Sequence, residues 1–464
     1  MIQSKSIFTF LTIFSILFLI GCKEEQKVLE EKKPNIIFLL ADDHRWDALG
    51  AMGNTLLKTP HIDKLAHEGL IFDNAYVTTS ICAVSRASIL SGQYLSRHGI
   101  ADFKTGFSNK ALNKTYPILL KNEGYRIGFV GKYGVGSADT HPKKLFDFWE
   151  CSPKTQPDYE NIDKEGNYLH YTDLVDNNIK SFIQTADDRP FCLSVSFKAP
   201  HVQDGDPRQF IPNPRYKNYY KDVEIPQPKT AAPEYWEAFP HFFQTDENIA
   251  RERWKLRFNT PEKYQESVKN YYRLLTGIDD VVGKMVEQLK LKDLDKNTII
   301  IYMGDNGMFL GEHGMAGKWY PYEESVRVPL IIYDPRPYNT KLRGREDEVA
   351  LNIDIAPTIL GLAGIETPKE MQGLNLIENL QNKATTRAEF FYEHTYFGSP
   401  KLPKVEGVVS PGLKYVLYTE HDYEELFDLT KDPLEETNLA SNPDYKEILK
   451  EQREKYQTLK AEAK

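Results

Sequence analysis

Residues 35–43 read Asn35-Ile36-Ile37-Phe38-Leu39-Leu40-Ala41-Asp42-Asp43, an apolar run stopped by two carboxylates. A strand with one wet face alternates apolar and polar side chains. A continuous apolar run is instead buried on both faces, as in a parallel sheet covered by helices. The grammar recurs along the chain. Tyr125-Arg126-Ile127-Gly128-Phe129-Val130-Gly131 ends at Lys132. Phe191-Cys192-Leu193-Ser194-Val195-Ser196-Phe197 ends at Lys198 and His201, and Thr298-Ile299-Ile300-Ile301-Tyr302-Met303 ends at Asp305-Asn306. Each strand delivers polar side chains at its C-terminal end, where open α/β sheets bind ligands. The expected fold is α/β: a large, mostly parallel sheet sandwiched by helices, with a small C-terminal α+β subdomain holding an antiparallel sheet.

Helical signals lie between these strands. Residues 59–69 carry a start signal, apolar spacing and a Gly stop. Residues 261–290 place Tyr271, Leu274, Leu275, Ile278 and Val282 on one broad face, and another helix starts at Ile355. Residues 200–260, rich in Pro, Tyr and charge, read as long loops over the sheet, where selectivity often sits. From about residue 385 the texture changes to short strands at 389–396, 412–418 and 425–429, then a charged helix from about 444. The catalytic body is expected at 34–384 and the C-terminal subdomain at 385–464.

The chain has 464 residues, a net charge of −9 and no long Lys/Arg run, which argues against a nucleic-acid partner. Its four cysteines are too few for a disulfide-stapled scaffold. At the N-terminus, Lys5 precedes a 14-residue apolar run at 7–20. That is short of the roughly 20 residues of a membrane span and fits a signal peptide. It ends Leu19-Ile20-Gly21-Cys22, which resembles a bacterial lipobox. The resemblance implies a lipoprotein signal at 1–21, lipidation at Cys22 and a polar tether at 22–33 too poor in apolar residues to fold. The expected mature protein is exported and lipid-anchored to a bacterial membrane, touching it only through that anchor.

Asp42, Asp43, Asp305 and Asn306, at two strand ends, offer three carboxylates and an amide oxygen, a hard-oxygen set suited to Ca²⁺ or Mg²⁺. The stretch Ser80-Ile81-Cys82-Ala83-Val84-Ser85-Arg86-Ala87-Ser88-Ile89-Leu90-Ser91-Gly92 suggests a loop entering a helix. Cys82 would sit at the helix mouth, which favours anions, with Arg86 one turn in on the same side. A guanidinium there suits a tetrahedral oxyanion.

Cys-x-x-Ser-Arg followed by Ser-Ile-Leu-Ser-Gly, about 40 residues after the Asp-Asp strand end, resembles the signature of formylglycine-dependent sulfatases, members of the alkaline-phosphatase-like superfamily. The likeness covers residues 34–433. It implies that a maturation enzyme oxidises Cys82 to formylglycine, which serves as nucleophile and, with Asp42, Asp43, Asp305 and Asn306, as a ligand of Ca²⁺. It implies that Lys132 and Lys318 hold the sulfate with Arg86, and that His201 is the general acid for the departing alcohol. The chain departs from the family at Val84, where Pro or Ala is usual, and at Gly134, where a histidine is frequent. His313, near Lys318, is either structural or a cover for that histidine. Arg45, His98 and His394 are further candidates for substrate contact. The implied substrate is a sulfated oligosaccharide or polysaccharide, algal ulvan before glycosaminoglycans. The competing readings are a phosphomonoesterase or phosphodiesterase of the same superfamily and a non-catalytic glycan-binding relative. Two-zinc members of the superfamily tend to carry His after the downstream aspartate; Asn306 there favours one hard cation.

Overall fold

The run at residues 35–41 is a strand, β1 (Asn35–Asp42), every residue of it buried. In this computed structural model, which describes residues 32–336, 342–382, 387–398 and 401–464, β1 lies inside an eight-stranded sheet. The others are β2 (Leu70–Tyr76), β3 (Arg126–Gly131), β4 (Phe148–Cys151), β5 (Phe191–Pro200), β6 (Thr298–Gly304), β7 (Leu330–Tyr333) and β8 (Gly344–Leu351). The order is β8-β2-β7-β6-β1-β5-β3-β4. β1 runs parallel to both β5 and β6, and only β7 is antiparallel to its neighbours β6 and β2. The sheet is therefore mostly parallel, as expected.

Successive side chains point to opposite faces of a strand, and both faces are covered. Ile36, Phe38 and Leu40 join an apolar cluster with Val84, Ala87 and Ile89 of the helix α2 (Cys82–Ser91). Ile37, Leu39 and Ala41 join another with Ile62 and Leu65 of α1 (Pro60–Glu68). The second cluster also takes in α3 (Tyr171–Gln184) and the long α5 (Pro261–Leu291), whose Tyr271, Leu275 and Ile278 are buried in it. α5 starts where the sequence dictates: Pro261 occupies the first turn, and the Thr260 hydroxyl accepts from Lys263 N at 3.3 Å. Between α3 and α5, the loop-rich stretch contains a short helix, α4 (Ile249–Arg257).

The C-terminal part is an antiparallel sheet of β9 (Phe390–His394), β10 (Val405–Val409), β11 (Leu413–Tyr418) and β12 (Tyr423–Asp428) in sequential order. β10 is a strand the sequence reading missed. The preceding α6 is Ile355–Leu362, and α7 (Lys446–Glu462) covers the sheet, with Leu449 and Tyr456 against Phe391, Val408, Tyr415 and Leu426. Residues 33–464 form one unit. Side chains of Lys414, Glu393 and Tyr392 are among those that seat the small sheet on the body. The Lys414 ammonium of β11 donates to Glu435 at 2.7 Å and Glu323 at 3.1 Å. Glu393 of β9 accepts from Ser96 N at 2.9 Å. The Tyr392 hydroxyl donates to the Trp319 carbonyl at 2.6 Å. Cys151 and Cys192 are free thiols. The expected signal peptide and Cys22 lie outside the described residues, as does the expected boundary at 384/385.

Candidate active site

Parallel neighbours deliver their C-terminal ends side by side, and here that assembles the acidic cluster. β1 and β6 stay in register to Ala41 and Gly304, after which Asp305 N donates to Ala41 O at 2.9 Å. The chain turns at Asp43 through a left-handed conformation, φ 66°, and Asp43 N donates to Asp305 Oδ1 at 3.0 Å. Asn306 Nδ2 donates to Asp43 Oδ1 at 2.6 Å. β3 supplies Lys132 and β5 supplies His201 on the far side of β1. The Lys132 ammonium binds Asp42 and the Lys318 ammonium binds Asp43.

Cys82 is the first residue of α2, and all ten residues of that helix are buried. Arg86, one turn on, donates from Nε to Asp305 Oδ2 at 2.8 Å and from Nη1 to Lys132 O at 2.6 Å, and contacts the Ser196 hydroxyl. Its guanidinium thus braces the acidic cluster from behind. Gly134 explains the room: at φ 74°, a Cβ there would meet Arg86 Cδ at 2.7 Å. The position where many sulfatases carry histidine is occupied from the side by this arginine.

The charges are strongly coupled. Against the upward pull of burial, the cations of Lys132, Arg86 and Lys318 hold Asp42 well below the usual carboxylate range. Burial, and then the charge of Asp42, push Asp305 up. Burial likewise raises the Cys82 thiol, opposed by Lys132 and Lys318. Asp43 raises Lys318 against burial. Burial pushes His201 down to about 3, against the pull of Asp43, so its ring is neutral. A carbonyl can only accept, so His201 Nδ1 carries the proton that it donates to Val202 O at 2.8 Å. Nε2 is then the basic nitrogen, 3.6 Å from Asp43 Oδ2.

This donor set fits a hard divalent cation. Ligand atoms of Asp42, Cys82 and Asp305 lie within 4.8 Å of one another, as do those of Asp42, Asp43 and His201. Asp42 Oδ1 and Asn306 Oδ1 are buried acceptors with no hydrogen-bond partner among the described residues. Orphaned buried oxygens of that kind are costly unless a cation or water satisfies them.

Cys82, His201 and Lys318 line one cavity of about 220 Å³. Its outer wall is built from distant segments: Phe103, Trp319, Tyr396 and Phe397 supply rings, and Gln156, Asp204 and Arg253 supply polar groups. Sequence reading placed selectivity in the 200–260 loops but singled out none of these wall residues for it. An exposed aromatic such as Phe397 is visible as a signal only once its neighbours are known.

Four expected residues lie elsewhere. Arg45 lines a separate cavity of about 640 Å³ that shares no lining residue with the first, and its guanidinium is held by Asp47 at 2.9 Å and Glu312 at 2.7 Å. His98 accepts at Nδ1 from Ile100 N at 3.0 Å and donates from Nε2 to Ser88 Oγ at 3.1 Å. His394 is buried on β9, and both ring nitrogens lack hydrogen-bond partners among the described residues. His313 adopts φ 52° and packs its ring 4.8 Å from Tyr322. Burial pushes His313 down to about 4, and its charged neighbours are Glu436 and Lys414 of the C-terminal part. The structure does not bring it into the Cys82 cavity.

The sulfatase family pattern matches residues 34–365, and that of the C-terminal part of N-sulphoglucosamine sulphohydrolase matches residues 311–462. The N-acetylglucosamine-6-O-sulfatase of Bacteroides thetaiotaomicron is 29% identical over 96% of this chain and 89% of its own. An ulvan-active sulfatase of Formosa agariphila is 29% identical over 93% of this chain and 83% of its own. A solved enzyme in complex with its substrate D-glucosamine-2-N,6-O-disulfate superposes with a TM-score of 0.78 at 27% identity, covering 93% of this chain and 98% of that one. A match to the family pattern across most of the chain, on an alkaline-phosphatase-like fold, makes the conclusion direct: this chain belongs to the sulfatase family and is a sulfuric ester hydrolase.

Proposed function

We propose that the protein removes ester sulfate from a sulfated saccharide, an amino sugar of the glycosaminoglycan type before ulvan, using formylglycine made from Cys82 and a bound Ca²⁺. The observation that carries this is the single cavity that joins Cys82, Lys318 and His201 to a wall of aromatic rings. Its volume of about 220 Å³ is below the roughly 300–1,000 Å³ of drug-sized sites, which suits one sugar ring bearing its sulfate. The amino-sugar preference is supported by the names of the Bacteroides relative and of the ligand in the solved neighbour. The ulvan-active relative keeps the algal substrate as the alternative.

When bound, the cation and the formylglycine supply positive charge and a nucleophilic oxygen. Asp42, Asp43, Asp305 and Asn306 would hold the cation, and Mg²⁺ satisfies the same oxygen chemistry. Lys318 and Lys132 neutralise charge on the sulfate oxygens as the S–O bond breaks. His201, its Nδ1–H fixed on Val202 O, presents a basic Nε2 that takes up a proton from solvent and passes it to the departing sugar oxygen. Arg86 acts as a positioning residue, tying Asp305 to the Lys132 carbonyl. Upstream of the body, Cys22 carries a lipid that anchors the exported protein; palmitate labelling lost in Cys22→Ala tests that assignment.

The test of the site is peptide mass spectrometry across position 82 after co-expression with a competent maturation enzyme, together with sulfate release from N-acetylglucosamine 6-sulfate and from ulvan oligosaccharides. Formylglycine at position 82 and a Cys82→Ala variant without activity are expected. Unmodified cysteine in fully active protein would sink the proposal.

A further inference from the structure

The outer wall of the Cys82 cavity carries a guanidinium that, among the described residues, no carboxylate hydrogen-bonds. Arg253 and Arg257 stand one turn apart on α4. Arg257 is buried, with Nε donating to Gln209 Oε1 at 2.8 Å. Burial, with Arg253 beside it, pushes Arg257 down to about 9. Arg253 lines the cavity, its side chain 28% exposed. Among the described residues its one ionic partner is Asp204, at 3.6 Å, outside hydrogen-bonding distance.

Arg253 is also held in place. Its guanidinium lies over the Trp319 ring, 5.0 Å from the centroid. Trp319 has φ 88°, a left-handed conformation that a bulky side chain keeps only where its surroundings fix it. Two contacts fix it. Its carbonyl accepts from the Tyr392 hydroxyl, and its ring closes on Gly317, where a Cβ would lie 2.6 Å from the indole. Lys318, the residue before it, faces the reacting end of the cavity. One strained turn thus sets the spacing between the ammonium at the ester sulfate and the guanidinium at the wall. Phe103 and Tyr396, packed edge to face at 5.4 Å, supply apolar ring surface to the same cavity.

We propose that Arg253 determines specificity by binding a second anionic substituent, a carboxylate or a second sulfate, on the saccharide whose ester sulfate sits against Cys82. A planar guanidinium stacked on an indole keeps its in-plane N–H edge for a bidentate grip on such a group. The enzyme then prefers doubly anionic saccharides over singly charged ones. This rests on the reading of the cavity as the sulfatase site.

Two substrate pairs differ mainly in the second anion. One is glucosamine-2-N,6-O-disulfate against N-acetylglucosamine 6-sulfate. The other is a 6-O-sulfated disaccharide with its uronate carboxylate free or methyl-esterified. Mature enzyme and its Arg253→Ala and Arg253→Lys variants are assayed for kcat and KM of sulfate release, and the Cys82→Ala form, with and without each change, for Kd by calorimetry. The wild type is expected to favour the doubly charged member of at least one pair by about tenfold or more, and that pair identifies sulfate or carboxylate. Arg253→Ala takes the ratio towards one, chiefly through KM, and Arg253→Lys keeps part of it. A wild-type ratio near one in both pairs, or a preference that survives Arg253→Ala, overturns the proposal. If Kd shows the Arg253-dependent preference while no saccharide loses sulfate, the sulfatase reading falls and the anion site stands. Turnover without any preference has the opposite meaning.

Discussion

Giving this protein the histidine that many sulfatases carry at position 134 should damage it. Gly134 has φ 74°, and a Cβ there would approach Arg86 Cδ to 2.7 Å and Nε to 3.2 Å. An L-residue in left-handed backbone loses about 1–2 kcal/mol. Arg86 yields only by leaving Asp305 Oδ2, at 2.8 Å, or the Lys132 carbonyl, at 2.6 Å. A buried hydrogen bond to a charged group is worth about 1.5–3 kcal/mol. Gly134→His is therefore expected to lower stability by about 2.5–5 kcal/mol in all, and Gly134→Ala, which already places the Cβ, by most of that. Loosening a brace on a ligand-bearing carboxylate typically costs 10–100-fold, so kcat should fall by about that factor. Urea denaturation and kcat for sulfate release measure the two effects. An unchanged unfolding midpoint, or a gain in turnover with histidine present, would refute the idea that Arg86 fills this space.

Three further outcomes follow from other contacts. Tyr392→Phe removes the hydroxyl on the Trp319 carbonyl and should cost about 1 kcal/mol, read as a rise in KM larger than the fall in kcat; equal kinetics would disconnect that hydroxyl from the cavity. Lys414→Met leaves Glu323 and Glu435 buried without their shared cation, and an expected loss of about 3–5 kcal/mol is measured by chemical denaturation. Burial pushes Glu425 up to about 8 from an ordinary 4.5, despite the Tyr418 hydroxyl. Between those values the folded chain keeps a proton that the unfolded chain has released, so stability from this group falls as pH rises, by up to about 1.4 kcal/mol per unit. Glu425→Gln should flatten that slope in unfolding midpoints taken from pH 5 to pH 8, and an unaltered slope contradicts the assignment.

The centre of the sheet was legible because burial on both faces leaves an unmistakable mark. β1, β5 and β6 begin where the apolar runs begin, and their polar ends meet as parallel pairing requires. The edges were not. β8 spends its first five residues on Gly344-Arg345-Glu346-Asp347-Glu348, a charged stretch suited to a sheet edge but indistinguishable from a loop in sequence. β7 is only four residues long, and nothing local says that it runs against its neighbours. The acidic cluster was readable because its members sit at strand ends. The cavity wall was not, because Phe103, Arg253, Trp319 and Tyr396 meet only in three dimensions. His313 shows the opposite error: nearness in sequence to Lys318 suggested a shared role, yet a left-handed backbone at residue 313 turns the ring towards Tyr322.

The C-terminal sheet has a meaning beyond support. Tyr392, Tyr396 and Phe397 belong to the strand and turn that open it, and they position or form part of the wall opposite Cys82. Part of the recognising wall is thus encoded in a different stretch of the gene from the reacting residues. Exchange or drift within the C-terminal stretch would reshape that part of the wall while leaving the reacting residues and Arg253 in place, a route by which one reaction can be tuned to related glycans.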